Sequence, residues 1–154
     1  MADLRRAFFN TMCEIAEKDK DVILITGDLG YSFYEDFAEK YPNQFLNIGC
    51  MEQSMVGISA GMALSGKKPY VYSGAIFVAM RPFEQVRDDI AYNNMNVRLI
   101  GTKASGFLGF THNLNGTENM EDLLKNLPMA RYYPETEEEL KRALLLPGPS
   151  YIQL

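Results

Sequence analysis

Six short apolar runs, separated by segments of helical character, constrain the fold of this chain more than any other feature. The runs lie at residues 22–28, 45–49, 69–75, 97–102, 130–134 and 150–154. Strands that alternate with helices form βαβ units, whose parallel sheet is covered by helices on both faces. We therefore predict an α/β fold of three layers (α/β/α) with a mainly parallel six-stranded sheet. The 154 residues are enough for a substantial core, so we expect 1–154 to form one domain.

The segments between these runs carry ordinary helix signals. Residues 3–18 have apolar side chains at helical spacing, and 52–65 is followed by Gly66. A helix over 136–146 has Thr136 and Glu139 at the spacing of a capping box. Further helices are predicted at 32–41, 82–93 and 121–127, with a loop rich in Gly, Asn and Thr at 103–119.

Charge and cysteine content exclude several classes of partner. The net charge is −5 and no basic stripe is present, which argues against a nucleic-acid partner. The amino-terminal residues are interrupted by charges, so they form neither a secretion signal nor a membrane span. Cys13 and Cys50 lack metal-type spacing, and His112 is the one histidine, so we expect no zinc site and a reduced, cytoplasmic setting.

Glu52 is the one charged side chain between Gly49 and Gly66, at the start of a predicted helix that is rich in small residues. Gly57 and Gly61 lie four positions apart on one face of that helix. Glycine costs about 1 kcal/mol against alanine inside a helix, so a neighbouring helix or a ligand must approach closely. The acid itself has two interpretations. It favours the helix dipole by about 0.3–1 kcal/mol, or it faces a ligand nitrogen between two subunits.

Several sequence motifs resemble the pyrimidine-binding domain of the transketolase family. They are GCMEQSMVGISAGMALSGKKP (49–69), FVAMRPFEQVR (77–87) and GFTH (109–112). TGDLGYS (26–32) is also similar to an Asp-Leu-x-x-Ser turn of transketolases. The resemblance covers essentially the whole chain and implies the thiamine-diphosphate-binding fold. The sites of open parallel sheets lie at the carboxyl ends of the strands, where several of these motifs fall.

The resemblance implies a cofactor-binding role for five residues. Glu52 would hydrogen-bond the aminopyrimidine ring of thiamine diphosphate and shuttle the proton that activates the cofactor, as a catalytic residue. Phe77 would stack on the pyrimidine, and Ile48 and Met51 would line the same slot. Ordinary core packing is the alternative for these three apolar residues. Asp28 would lie near the cofactor, or else serve only as a turn acid after its strand.

The resemblance also implies a substrate side of the site. His112 would act as a catalytic residue near the substrate, unless it is a loop histidine without function. Lys103 would bind substrate phosphate or be a solvated surface lysine. Ser32 would contact a sugar phosphate or cap a helix. Arg81 would contact substrate, although pairing with Glu84 on the helix surface is the favoured interpretation.

One part of the family's cofactor site has no counterpart in this sequence. The family holds Mg²⁺ and the diphosphate with a Gly-Asp-Gly motif followed by Asn-Asn, and oxygen ligands suit that ion. The segment GDLG (27–30) is not that motif, and 93–94 lies too far along the chain. The resemblance thus implies that a separate subunit holds the diphosphate and Mg²⁺. We expect no diphosphate-binding domain and no carboxyl-terminal domain in this chain, and a heterotetramer that self-associates through the Glu52 helix.

The function implied by the resemblance is transfer of a two-carbon ketol unit between sugars or sugar phosphates, as a subunit of a split transketolase-like enzyme. Two alternatives stay open. One is a subunit of a 2-oxo-acid decarboxylase or of an enzyme like 1-deoxyxylulose-phosphate synthase, which use the same cofactor chemistry. The other is a non-catalytic scaffold module.

Overall fold

A single parallel sheet organises the computed structural model, which describes residues 4–102 and 120–154. The strands are β1 (Val22–Thr26), β2 (Phe45–Asn47), β3 (Lys68–Gly74), β4 (Arg98–Thr102), β5 (Ala130–Tyr132) and β6 (Ser150–Gln153). Their order across the sheet is β2-β1-β3-β4-β6-β5, and every neighbouring pair is parallel. The predicted α/β fold with a six-stranded sheet is confirmed, and all of its strand pairs are parallel.

Helices cover both faces of this sheet. They are α1 (Leu4–Lys18), α2 (Glu35–Lys40), α3 (Glu52–Leu64), α4 (Ala75–Ala79), α5 (Phe83–Gln85), α6 (Met120–Leu124) and α7 (Glu137–Leu145). A 3₁₀ turn (Pro42–Gln44) precedes β2, and a π-helix (Val86–Tyr92) continues α5. Thr136 caps α7 as predicted, because its hydroxyl oxygen accepts from the Glu139 amide at 3.2 Å. Within the two described ranges, no helix is long and apolar enough to span a bilayer.

Alternation along the strands divides the core into two halves. Ile25, Val71 and Leu99 face the first half, which packs against α3, α4, the π-helix and α6. Leu24, Tyr70 and Ile100 face the second half, which packs against α1, α2 and α7. Successive strand side chains point to opposite faces, so a strand buried on both sides is a continuous apolar run. The three-layer arrangement follows from that pattern.

Two helical segments differ from the sequence prediction. Residues 75–79 form α4, although the apolar and β-branched letters continue directly from β3. The predicted helix over 82–93 is a short α-turn followed by the π-helix, in which backbone bonds reach one residue further than in an α-helix. At Gly74 the chain changes from strand β3 to helix α4, so α4 begins directly at the end of β3.

The register places four strand ends at one edge of the sheet. Thr26 is level with Asn47 in β2 and with Tyr72 in β3, and Gly74 is level with Thr102 in β4. The segments that follow these ends carry Asp28, Glu52 and Phe77. Functional groups that are far apart in the sequence thus share one edge.

Candidate functional site

Glu52 is the first residue of α3, and its side chain is buried at 5% relative exposure. A surface acid that only favours the helix dipole would stay in water, because a buried carboxylate loses hydration that the dipole does not return. The dipole interpretation alone therefore does not explain this residue. Gly49 turns the chain into the helix with a φ of 75°, a conformation that glycine adopts without strain.

The partner of Glu52 in the structure is Arg81. Arg81 Nη1 donates to Glu52 Oε1 at 2.8 Å, and the Arg81 side chain is 44% exposed. The predicted surface pair between Arg81 and Glu84 is wrong, because Arg81 lies in the turn before α5 and points back to α3. A contact across 29 positions cannot be inferred from spacing along one helix.

Phe77 completes this arrangement. The Arg81 guanidinium carbon lies 3.9 Å from the centroid of the Phe77 ring, which is a cation–π distance. Phe77 is carried by α4, and a Cβ on Gly74 would approach its ring to 3.1 Å. Gly74 therefore allows the ring to lie against the end of β3. We call the space bounded by the Glu52 carboxylate and the Phe77 ring the Glu52–Phe77 slot.

Asn47 joins two loops beside this slot, and it was not among the residues predicted from the sequence. Its Oδ1 accepts from the amides of Asp28 and Gly49, each at 3.1 Å. Asp28 has a φ of 59° and is exposed, and its carboxylate accepts from the Tyr31 hydroxyl. The Asp28 turn is thus fixed to the loop that leads into Glu52. The sequence feature that could have identified Asn47 is an asparagine at the end of a predicted strand, two positions before a glycine.

The two apolar residues predicted for the slot differ in their surroundings. Met51 is 54% exposed, so the core-packing alternative is wrong for it. Ile48 is half-buried and packs against the core beneath α3. An open depression of about 470 Å³ lies over the start of α3, and it is lined by Cys50, Met51, Glu52, Gln53, Ser54 and Arg81. The structure thus brings Met51, Glu52 and Arg81 together.

The predicted substrate residues are not all placed. Ser32 is exposed, with a φ of 68°, and its amide donates to a Glu35 carboxylate oxygen at 2.7 Å. The interpretation of Ser32 as a helix cap is wrong, because α2 begins at Glu35 and receives no side-chain cap. The Ser32 carbonyl accepts from Arg6 Nη2 at 2.7 Å. Lys103 and His112 lie outside the described residues.

The outer face of α3 is exposed and rich in small residues. A Cβ on Gly61 would meet nothing within 4 Å, and one on Gly57 would meet only Asp89 Oδ2, at 4.0 Å. Ile58 and Leu64 on the same helix are 42% and 77% exposed. Packing inside the described part of the chain therefore does not account for these two glycines.

The chemistry of the slot fits a flat, nitrogen-bearing ring. A buried carboxylate accepts from a planar N–H group that lies over an aromatic ring, and a protonated 4-aminopyrimidine likewise offers a ring N–H donor and a flat shape. Among residues 4–102 and 120–154, no group of three or more metal-ligating side chains is close enough to hold an ion.

Comparison with known proteins agrees with this geometry. Residues 1–147 match the family described as the transketolase pyrimidine binding domain. The chain is 44% identical over 116 residues to a subunit of the apulose-4-phosphate transketolase of Phocaeicola vulgatus, covering 73% of this chain and 37% of that protein. It is 32% identical over 161 residues to the 6-deoxy-6-sulfo-D-fructose transketolase subunit SqwH of Clostridium sp. strain MSTE9, covering 98% and 49%.

A solved structure shows the same fold. It is a split-gene transketolase described as an inactive β4 tetramer, with a TM-score of 0.83 and 31% sequence identity. The superposition covers 97% of this chain and 50% of the other. The chain thus spans half or less of the length of these relatives. The family match over residues 1–147 includes Glu52 and Phe77.

Proposed function

Because the chain belongs to the family of transketolase pyrimidine-binding domains, we propose that it is the pyrimidine-binding subunit of a split, thiamine-diphosphate-dependent enzyme. The reaction is transfer of a two-carbon ketol unit between sugars or sugar phosphates. The observation that carries this proposal is the buried Glu52 carboxylate, which faces a planar N–H group over the Phe77 ring. Relatives named as transketolase subunits support it.

The residues of the slot would hold the aminopyrimidine ring. Glu52 accepts a hydrogen bond from the ring and holds the proton that the ring exchanges, while Phe77 supplies the stacking face. Met51 and Ile48 exclude water from the edge of the ring. The cofactor, when bound, supplies a carbanion equivalent that accepts the two-carbon unit. Asp28, fixed through Asn47 beside the Glu52 loop, lies at the same strand edge and supports the cofactor site.

A second polypeptide would hold the diphosphate and Mg²⁺. The 154 residues contain no Gly-Asp-Gly motif followed by Asn-Asn, which the family uses for that purpose. The relatives named as subunits, and the neighbour named as a split-gene enzyme, support a partner chain. A charged ligand that spans both chains would then bind only at their interface.

Self-association would occur through the outer face of α3. In the described part of the chain, a Cβ on Gly61 would meet nothing within 4 Å and one on Gly57 would meet only Asp89 Oδ2, at 4.0 Å. Ile58 and Leu64 offer apolar contact on the same helix. Small residues four apart allow two helices to approach closely, which provides the packing reason that these glycines require. Two such chains with two partners would form a heterotetramer with two sites.

The substrate would be a sugar that carries a terminal anionic group. The two curated relatives are named for a phosphorylated and a sulfonated sugar. Lys103, Ser32 and Arg81 would bind the substrate, since a guanidinium or ammonium group pairs with such an anion. His112 would act on the reacting part of the sugar.

Reconstitution tests the proposal. The tagged chain is purified from its host with its bound partner, which should carry the Gly-Asp-Gly…Asn-Asn motif. The complex is assayed with thiamine diphosphate, Mg²⁺ and either ketose donors or 2-oxo acids. Ketol transfer from a ketose supports the proposal, and exclusive use of a 2-oxo acid would replace it with the decarboxylase or synthase alternative. Tight cofactor binding and ketose turnover by the chain alone would refute the two-subunit arrangement.

A further inference from the structure

Arg81 does more in this structure than pair with an acid. Its guanidinium donates to the buried Glu52 carboxylate at 2.8 Å, and the guanidinium carbon lies 3.9 Å from the centroid of the Phe77 ring. The two groups that define the Glu52–Phe77 slot are therefore both engaged by the same side chain. A single cation satisfies the carboxylate and covers the aromatic face.

A guanidinium and a protonated 4-aminopyrimidine present similar groups to this slot. Each is planar and cationic, and each offers an N–H donor to a carboxylate and a flat face to an aromatic ring. Two such groups cannot both lie on the same face of the Phe77 ring. We infer that Arg81 is an internal stand-in for the pyrimidine, which occupies the slot in the free chain and must leave when the cofactor enters. This inference rests on the proposed function.

The position of Arg81 allows its guanidinium to leave the slot without a change in the fold. Arg81 lies in the turn between α4 and α5, and its side chain is 44% exposed. It also lines the open depression over the start of α3, so its long side chain reaches the slot from the rim. Rotation about its side-chain bonds is enough to move the guanidinium into solvent.

The stand-in has two effects on the free chain. First, Glu52 is buried at 5% exposure and needs a partner before any ligand is present, because an unpaired buried carboxylate is strongly unfavourable. Second, a ligand for the slot competes with Arg81, so its apparent dissociation constant is the intrinsic value divided by the fraction of open slots. Arg81 thus stabilises the cofactor-free chain, and it raises the apparent dissociation constant of any ligand that binds in the slot. Small planar amidinium and guanidinium cations form the class of ligand that this slot accepts.

The full chain alone provides the test. We compare the wild type with Arg81→Ala, with the double variant Arg81→Ala/Glu52→Gln, and with Arg87→Ala as a matched control. Arg87 pairs with Asp88 on the surface at 3.1 Å and is half-exposed. The probes are methylguanidinium and 4-amino-2-methylpyrimidine. The readouts are the melting temperature and NMR signals of the Phe77 ring and of the Arg81 Nε–H.

We expect Arg81→Ala to melt below the wild type, and millimolar methylguanidinium to restore part of that loss. It should restore much less in the double variant, whose neutral glutamine leaves no buried charge for the cation to pair with. 4-Amino-2-methylpyrimidine should bind Arg81→Ala at least tenfold more tightly than the wild type, and Arg87→Ala should match the wild type. In the wild type, this probe should shift the Arg81 Nε–H signal toward its solvent-exposed position.

Two results would overturn the inference, and they differ in meaning. If the pyrimidine probe binds the wild type and Arg81→Ala equally, with the Arg81 signal unmoved, Arg81 is not a stand-in while the proposed function stands. If the probe perturbs Phe77 in no variant, the slot is not a pyrimidine site, and the proposed function fails together with the inference.

Discussion

Glu52 and Arg81 form an ion pair of unequal partners. The carboxylate is 5% exposed and the guanidinium 44% exposed, and their closest atoms are 2.8 Å apart. A surface pair of this length contributes at most about 1 kcal/mol, whereas removal of one partner of a buried charge costs about 3–5 kcal/mol. Because only Glu52 is buried, the two partners differ: Glu52 depends on Arg81 or on a ligand, and Arg81 can return to water.

Substitution of Glu52 by Gln should abolish most of the activity of the reconstituted enzyme. General acid–base groups contribute about 10²–10⁴ in rate, so we expect the turnover number to fall by at least about a hundredfold. The chain should still fold, since a glutamine carbonyl accepts from Arg81 in place of the carboxylate. Turnover and melting temperature are measured on the same preparation. Glu84→Gln, an exposed acid in α5, is the control and should retain wild-type turnover. Unchanged turnover in Glu52→Gln would favour the scaffold alternative.

Replacement of Phe77 by Leu should weaken cofactor binding more than it slows turnover. An aromatic stack is worth about 0.5–1.5 kcal/mol beyond its buried area, so we expect a loss of affinity of about two- to tenfold. Turnover at saturating cofactor should stay close to the wild-type value. The KM for thiamine diphosphate is measured beside that of Phe83→Leu, which removes a half-buried ring that packs against the core instead. Equal effects of the two substitutions would contradict the stacking role.

Substitution of Gly61 by Leu should disrupt self-association and leave the protomer folded. A Cβ at this exposed position would meet nothing within 4 Å inside the described part of the chain, so a side chain can extend from it into solvent. A partner helix packed on the same face would be displaced. Sedimentation or light scattering measures the assembly state across a range of concentrations. Glu17→Leu adds the same side chain to an exposed position of α1 and should associate like the wild type. Normal assembly of Gly61→Leu would place the interface elsewhere.

Asp19 should stabilise the fold only above acidic pH. Its pKa is lowered by the hydrogen bond from Lys68, whose Nζ lies 2.5 Å from Asp19 Oδ2, and by a backbone hydrogen bond from Asp21. A depressed folded-state pKa gives stability that is present above the unfolded value of about 3.9 and lost as pH falls through the folded value. Asp19→Asn should therefore be less stable than the wild type at pH 7, and the difference should shrink below about pH 4.

Urea unfolding at pH 7 and at pH 3 measures this effect. Lys68→Met removes the partner and leaves the carboxylate, so it should also reduce the dependence of stability on pH in the acid range. If the free energy of unfolding falls by the same amount between pH 7 and pH 3 in the wild type and in both variants, the Asp19–Lys68 pair does not couple stability to protonation.

Gly101→Ala should destabilise the sheet by about 1–3 kcal/mol, the usual cost of overpacking a core. A Cβ on this β4 residue would collide with the Tyr151 ring and hydroxyl, which are fully buried on β6. The matched control is Gly61→Ala, the same chemical change on a helix, measured at dilutions where the chain is a single protomer and a Cβ at this position meets nothing within 4 Å in its described part. That variant should be neutral or more stable, by up to about 1 kcal/mol. The free energy of unfolding of both is measured in urea. Equal values for the two would contradict the close approach of Gly101 and Tyr151.

The strands of the sheet were predicted well from the sequence, but the segment that follows the end of β3 was not. The alternation of apolar runs with helical segments identified all six strands, because strands buried on both faces have few other interpretations. Helix α4 was not predicted, since its Ile and Val residues continue the apolar run of β3. Glycine at position 74 permits the turn and the close approach of Phe77, and neither effect shows in local composition.

Contacts between distant residues were the main limit on predicting the site. Glu52 was identified from its isolation in an uncharged block, and its burial agrees with a role beyond the helix dipole. Its partner was missed because pairing rules within one helix favoured Glu84 for Arg81. Asn47 was missed because its two acceptor contacts join loops 19 and two residues away, which become neighbours only through the parallel register of β1 and β2.

Helix α3 carries Glu52 at its first residue and Gly61 nine positions later, which is about 14 Å along one rigid rod. Any shift of the rod at one end is therefore transmitted to the other. With the proposed interface on this face, a substitution that changes how two protomers pack would also move the Glu52 carboxylate. A substitution that moves the carboxylate would in turn alter the packing between protomers.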